Sequence, residues 1–335
     1  MPDLKTKLRI ERSENCSGTI LNENEILSIK EKHYYVEPIP LDGDAPKQFI
    51  KLYHYHEDSG VKKVNFNTWD SYIAKAAEKW YPHESVIEYM INRIGQVLGL
   101  NMNQIALFKI NTQIRFLSKY FLSKNEILIH GAEICGSYLN DNALAKEIAD
   151  NQKESRELFT FEFLTKAIKH SFPDNYNELL NDLVRLITFD AIAGNNDRHF
   201  YNWGVITNTK KDKQTPKLAP IYDSARGLFW NESDDNIKTI KNNLKSNNRF
   251  ETYLKNACPR ISIEGNSKIN HFGLIDYLKN NNEHYKFIIE DIASIENEKL
   301  VYNMLNKEFE RFFIKERNEL ILLLLKDRFK KVREK

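Results

Sequence analysis

The chain has 335 residues, which is enough for about two domains or lobes with a sizeable core. Hydrophobic residues make up 41%, with only 12 Gly and 9 Pro, which excludes disordered, collagen-like and turn-rich all-β proteins. The formal net charge of +2, from 49 basic and 47 acidic residues, is not the electrostatic footprint of a nucleic-acid or membrane-binding protein.

The cysteine content and the lack of long apolar runs indicate the cellular compartment of the protein. Cys16, Cys135 and Cys258 are odd in number, far apart and without a CxxC pair, which indicates reduced thiols. No apolar run approaches the roughly 20 residues of a membrane helix, and the charged first residues do not form a secretory leader. We therefore expect a cytoplasmic protein that contacts neither membrane nor nucleic acid.

Residues 1–122 predict a small sheet that carries one main helix. Apolar residues recur at helical spacing from Val86 to Leu98, which predicts an amphipathic helix that ends near Gly99. Residues 56–70 are polar and predict a loop. Short β-branched or aromatic runs between polar turns are typical of strands; they are CSGTI, EILSI, KHYYVEP, KQFIKLYHY, QIALFKI and QIRFLSKYF.

Residues 123–335 predict a larger, mostly helical unit. Two segments, RELFTFEFLTKAIKH and NELLNDLVRLITFDAIAG, are apolar on one helical face. The second leads into the polar loop GNNDRHFYN, which two strand-like runs follow, WGVIT and LAPIY. A long amphipathic helix is expected from Val301 to Val332. The chain is therefore predicted to be an α+β protein of two lobes.

The polar loop contains the residue types that phosphoryl transfer needs. Asp197 and Asn202 are five positions apart between a helix and a strand, and Asp223 follows the next strand. One carboxylate can orient an attacking hydroxyl, while carboxylate and amide oxygens are hard ligands for Mg²⁺. This spacing is that of a kinase catalytic loop and its metal-binding aspartate. Another metal-assisted activity, or plain turn chemistry, fits the same residues.

The segment GNNDRHFYNWG, followed by LAPIYD, resembles the signature of HipA-like serine/threonine kinases. Weaker similarity covers most of the chain, including SGTI, QFIKLYHY and SVIEYMINRIGQVLGLNMNQIALF. The resemblance implies a two-lobed protein-kinase-like fold, with an antiparallel sheet and one main helix in the N-lobe and a mostly helical C-lobe. It also implies the short, core-kinase form, without the extra N-terminal subdomain of longer HipA-type toxins.

The best-matched residues receive roles from this resemblance. Asp197 would be the catalytic base or the group that orients the hydroxyl, and His199 would brace the catalytic loop. Asn202 and Asp223 would hold Mg²⁺.

The weaker matches leave alternatives open. Lys51 would contact the nucleotide phosphates, or it is an edge-strand lysine that points to water. Glu88 would orient Lys51 or help to position metal and phosphates, or it is an ordinary solvent-facing helix residue. Ser17 and Gly18 would belong to the phosphate-binding loop, and Ser17 coincides with a regulatory autophosphorylated serine of some members. A serine beside glycine is also a common turn.

The implied activity is transfer of the γ-phosphoryl group of ATP, with Mg²⁺, to a Ser or Thr of a protein or of the chain itself. Toxins of this family have antitoxin-like protein partners, so such a partner is expected here. Two alternatives stay open: a binding protein on a catalytically weak kinase scaffold, and a small-molecule phosphotransferase. Arg198 and Arg226 either bind phosphate or form structural ion pairs.

Overall fold

The computed structural model describes residues 18–41, 47–53, 61–77, 83–210, 215–246 and 248–335. Its first part is a six-stranded sheet with the strands β1 (Ser28–Ile29), β2 (Tyr34–Glu37), β3 (Lys47–Leu52), β4 (Asp70–Ala76), β5 (Ile105–Ile110) and β6 (Gln113–Lys119). The strand order is β1-β5-β6-β4-β3-β2, and every pairing is antiparallel except the parallel β1–β5 pair. The run CSGTI is not a strand over its described residues 18–20.

The predicted main helix is present as α1 (Glu84–Val97) and packs on β5 and β6. It ends as predicted, because Gly99 adopts a left-handed φ of 69° that an L side chain rarely tolerates. Strand β4 was not predicted. Its sequence, DSYIAKA, is rich in alanine and poor in β-branched residues, so it lacks the usual strand signal.

The second part of the chain is mostly helical and contains a three-stranded sheet in the order β7-β8-β9. Its strands are β7 (Glu126–His130), β8 (Gly204–Asn208) and β9 (Lys217–Leu218). Its helices are α2 (Gly131–Leu139), α3 (Asn142–Asp150), α4 (Gln152–Leu158), α5 (Phe161–Ser171), α6 (Tyr176–Ala193), α7 (Asp234–Asn242), α8 (Arg249–Asn256), α9 (His271–Asn281), α10 (Glu283–Ile292), α11 (Ile295–Glu308) and α12 (Lys315–Glu334). Within the described ranges, no helix is long and apolar enough to cross a membrane.

Two helix predictions need correction. The segment RELFTFEFLTKAIKH is divided between α4 and α5, because the Thr160 side chain caps α5 by accepting from the Phe163 N–H. The single helix expected over 301–332 is two helices, α11 and α12. The chain turns between them so that Phe309, Phe312 and Phe313 are all buried, and this burial outweighs continuation of the helix.

Candidate active site

A cavity of about 590 Å³ lies between the six-stranded sheet and the helical part of the chain. Strands β3, β4 and β6, helix α1, the loop after α6 and the segment after β9 all contribute to its wall. The lining residues relevant here are Lys47, Lys75, Glu88, Asp197, His199, Asn202, Asp223 and Arg226. The predicted residues Asp197, His199, Asn202, Asp223 and Glu88 are therefore brought together in one cavity.

The loop that carries Asp197 begins where α6 ends at Gly194, whose φ is 69°. Buried Arg198 fixes this loop, because its Nε lies 2.9 Å from Oδ2 of Asp190 on α6. The same guanidinium donates to the Asn202 carbonyl at 3.0 Å and to Oγ of Ser224 at 2.6 Å. Arg198 therefore forms a structural ion pair and ties the loop to the segment after β9.

Asn202 and His199 both bind the backbone of Asp197. The Asn202 amide N–H donates to the Asp197 carbonyl at 2.9 Å, and the His199 N–H donates to the same oxygen at 2.8 Å. Because the amide N–H is used, the amide oxygen of Asn202 is the atom that can bind a cation. Burial lowers the pKa of His199, and its Nδ1 accepts from the Tyr201 N–H at 3.3 Å, which fits the bracing role.

Lys75 on β4 lies between two carboxyl groups. Its Nζ is 2.8 Å from Oε1 of Glu88 on α1 and 2.7 Å from Oδ1 of Asp223. Burial alone would lower the pKa of Lys75, but the two carboxylates raise it above its ordinary value. Burial raises the pKa of Glu88, which Lys75 opposes. For Asp223, Lys75 outweighs burial and lowers the pKa to about 2, so this carboxylate is charged at neutral pH.

The backbone at Asp223 has an unusual conformation. Its φ is 53°, in the left-handed region that costs a non-glycine residue on the order of 1–3 kcal/mol. Aspartate tolerates this region better than most residues. The conformation places the carboxyl group on Lys75, and the side chain remains 36% exposed to the cavity.

The structure does not bring Lys51 to this site, which corrects the lysine prediction. Its Nζ pairs with Oε1 of Glu37 on β2 at 2.9 Å. Strand register pairs Lys47 with Lys75 and Lys51 with Ser71, so Lys51 shares the face of Lys75 but lies four residues further along. That separation is about 13 Å. Lys75 is the lysine that contacts Glu88.

Gly18 does not line the cavity either. A Cβ at this position would lie 1.9 Å from Cε1 of His83, so close packing accounts for the glycine. The next residue, Thr19, donates its backbone N–H to Oδ2 of Asp234 on α7 at 3.1 Å. Gly18 is therefore packed against the helical part, away from the place expected of a phosphate-binding loop. Ser17 lies outside the described residues.

Sequence reasoning missed three cations of the site, Lys47, Lys75 and Arg260. Lys47 also lines the cavity and is the cross-strand neighbour of Lys75. Arg260 Nη2 lies 3.2 Å from Oδ1 of Asp197, and Arg226 Nε lies 3.2 Å from its Oδ2. Lys75 lies on a different strand from the run Phe49-Ile50-Lys51, and Arg260 lies 63 residues from Asp197 in the sequence. No short sequence motif therefore links these cations to the site.

The donor chemistry fits a magnesium ion. Mg²⁺ is usually held by one or two protein carboxylates together with substrate phosphates. Asp223 and Asn202 offer a charged carboxylate and an amide oxygen in the same cavity. Among the described residues, no group of three or more His, Cys, Asp or Glu side chains is arranged to hold a metal.

Comparison with known proteins places the chain in a family. The HipA-like C-terminal domain model matches residues 40–301, which is most of the chain. The chain belongs to the HipA-like C-terminal domain family. A search of curated protein sequences gives no match.

A solved kinase structure shows the fold of this HipA-like chain. The Helicobacter pylori proinflammatory kinase CtkA aligns over 89% of this chain and 95% of its own, with 16% identity and a TM-score of 0.67. The chain therefore has the predicted two-lobed, kinase-like α+β fold. HipA of Shewanella oneidensis MR-1, solved with HipB and operator DNA, aligns over 89% of this chain and 66% of its own, with 11% identity and a TM-score of 0.48.

Proposed function

We propose that the protein is an ATP- and Mg²⁺-dependent protein kinase that phosphorylates Ser or Thr, on a protein substrate or on itself. The observation that carries this proposal is that the Lys75 cluster and the Asp197–Asn202 loop face one cavity. Family membership and the kinase-like fold support it.

Each residue has a role that follows from its surroundings. Lys75, held by Glu88 and Asp223, is positioned to contact nucleotide phosphates. Asp223 and Asn202 would hold Mg²⁺, which when bound neutralises charge on the phosphates. Asp197 would accept a hydrogen bond from the acceptor hydroxyl and then its proton. Such catalysis rests on positioning and charge stabilisation, without a covalent enzyme intermediate.

Other expectations stay predictions. They are the lobe boundaries of 1–122 and 123–335, a cytoplasmic location, an antitoxin-like protein partner, and the absence of direct contact with nucleic acid.

The test is transfer of label from γ-labelled ATP with Mg²⁺, using wild type, Asp197→Asn, Asp223→Asn and the control Lys51→Ala, whose lysine pairs with Glu37 instead of lining the cavity. We expect label on Ser or Thr, identified by mass spectrometry, in wild type and Lys51→Ala. Asp197→Asn should lose roughly 10²–10⁴-fold in rate. Circular dichroism checks folding of each variant.

Three results would contradict the proposal. Full labelling by Asp197→Asn would remove that residue from the chemistry. Nucleotide binding without transfer would favour a non-catalytic scaffold, and label found only on compounds of a small-molecule panel would favour a small-molecule phosphotransferase.

A further inference from the structure

The carboxylate of Asp197 lies between two guanidinium groups. Arg226 Nε is 3.2 Å from one oxygen and Arg260 Nη2 is 3.2 Å from the other. One negative charge therefore faces two positive charges. Neighbouring His199 adds no charge at neutral pH, because burial lowers its pKa. The cluster carries an excess of one positive charge beside the residue proposed to orient the acceptor.

Both arginines lie on segments that groups other than Asp197 hold in place. The Arg226 guanidinium lies over the Trp230 ring, 5.3 Å from its centroid, in a cation–π contact. The Arg226 carbonyl also accepts from the Asn196 N–H at 3.2 Å, which joins its segment to the catalytic loop. Arg226 is thus positioned before any ligand arrives.

Arg260 lies in the segment between α8 and α9, and buried Arg156 anchors that segment. The Arg156 guanidinium donates to the carbonyls of Ser267 at 2.8 Å and Ile269 at 2.6 Å, and also to that of Pro259, the residue before Arg260. The backbone on both sides of Arg260 is thus held in place.

The position of the pair indicates which anion it would meet. Asp197 can orient a hydroxyl only from about 2.6–3.2 Å. That hydroxyl must lie about 3–3.5 Å from the phosphorus that it attacks. Guanidinium groups in contact with Asp197 therefore lie within a side-chain movement of the phosphoryl oxygens, whereas residues flanking the acceptor lie further out. Arginine binds phosphate oxygens through strong, charge-assisted hydrogen bonds.

We propose that Arg226 and Arg260 form a binding site for the γ-phosphoryl group of a nucleoside triphosphate. This inference rests on the proposed kinase function. The acceptor hydroxyl hydrogen-bonds to Asp197, and the two guanidinium groups turn from Asp197 to the phosphoryl oxygens while the backbone that carries them stays in place. The bond between the γ-phosphorus and the β,γ-bridging oxygen breaks, and its electron pair leaves with the nucleoside diphosphate. The acceptor oxygen forms the new bond, and its proton passes to Asp197.

The experiment compares the binding of β,γ-imido-ATP and ADP, each with Mg²⁺, by calorimetry. The proteins are wild type, Arg226→Gln, Arg260→Gln, the charge-keeping Arg260→Lys, and Arg185→Gln as a control on an exposed arginine. The ratio of the two affinities isolates the γ-phosphate. We expect each Gln variant to lower the triphosphate preference roughly 10-fold or more, with ADP affinity unchanged. The kcat of each should fall roughly 100-fold, and Arg260→Lys should recover part of both losses.

The outcomes separate this inference from the proposed function. If wild type binds neither nucleotide and transfers no phosphate, both fall. If wild type is an active kinase but the Gln variants keep its triphosphate preference and kcat, only the arginine site is overturned. A rise in acceptor KM at an unchanged triphosphate preference also overturns it, because the pair would then recognise the acceptor. Thermal unfolding confirms that the variants fold.

Discussion

The two charged clusters that face the cavity have opposite balances. Lys75 is one ammonium group between two carboxyl groups, whereas Asp197 is one carboxylate between two guanidinium groups. Within the first cluster the side chains of Lys75 and Glu88 are 10% and 3% exposed, whereas Asp223 is 36% exposed to the cavity, and Asp197 in the second cluster is 20% exposed. Because carboxyl groups outnumber the ammonium group, the first cluster suits a bound cation and a fixed geometry. The second suits an anion and can exchange partners.

Of the changes that test the first cluster, removal of Lys75 should have the largest effect on activity. Lys75→Met deletes the proposed phosphate contact and leaves Glu88 without its cation, so kcat/KM should fall roughly 100- to 1000-fold. Lys51→Met removes a lysine of the same sheet face that pairs with Glu37 outside the cavity, and should change kcat/KM less than about 2-fold. Equal losses in the two variants would break the assignment of Lys75.

The link between the clusters should matter next. The Arg198–Asp190 pair is 4% exposed on both sides and supports the loop of Asp197 and the Ser224 segment together. Removal of one partner of a buried pair typically costs about 3–5 kcal/mol. We expect Asp190→Asn to lower the free energy of unfolding by that order, measured by urea denaturation. A loss below about 1 kcal/mol would show that the two clusters are positioned independently.

The stability of Lys75→Met should depend on pH differently from that of wild type. Burial already raises the pKa of Glu88, and loss of Lys75 should raise it further. A carboxyl group whose folded pKa exceeds its unfolded value of about 4.3 loses stabilising free energy as pH rises. The destabilisation of Lys75→Met relative to wild type should therefore grow as pH rises above about 4.3. Lys75→Met with Glu88→Gln should reduce this growth and leave the part due to Asp223, whose pKa Lys75 also lowers. A pH-independent difference would contradict this interpretation.

A buried group outside both clusters gives the smallest expected effect. Burial, together with Arg317, lowers the pKa of His83 to about 4, which Asp234 opposes. Its folded pKa lies below the unfolded value of about 6.5, so its stabilising free energy is complete above pH 6.5 and declines as pH falls towards 4. The contribution lost by pH 5 is about 1–2 kcal/mol. His83→Asn should flatten the decline of Tm over this range, and exposed His284→Asn should not.

Local patterns account for what the sequence predicted. The helical periodicity of α1 and α6 and the residue spacing from Asp197 to Asp223 lie within short windows, so their placement follows from the sequence. Lys75 was missed because the alanines beside it do not indicate a strand. Lys51 was preferred because Phe49, Ile50 and Leu52 around it indicate a strand more strongly. Which of the two lysines reaches the site depends on packing between segments that are distant in the sequence.

Other features depended on contacts between distant segments. Arg260 reaches Asp197 only because Arg156, 103 residues before Pro259, fixes the chain near it. Gly18 looked like part of a phosphate-binding loop, but its lack of a side chain serves close packing on His83. No window of sequence contains either relation.

The most direct test of the two-cluster account is nucleotide binding with and without Mg²⁺ in Asp223→Asn and Arg226→Gln. The account predicts that Asp223→Asn loses the gain in affinity that Mg²⁺ gives, because the charged ligand is gone. Arg226→Gln should keep that gain and lose the preference for β,γ-imido-ATP over ADP. If both variants lose the gain with Mg²⁺ and the preference for β,γ-imido-ATP to the same extent, the first cluster is not a separate cation site and the second is not a separate anion site. That result would contradict the proposed roles of the two clusters.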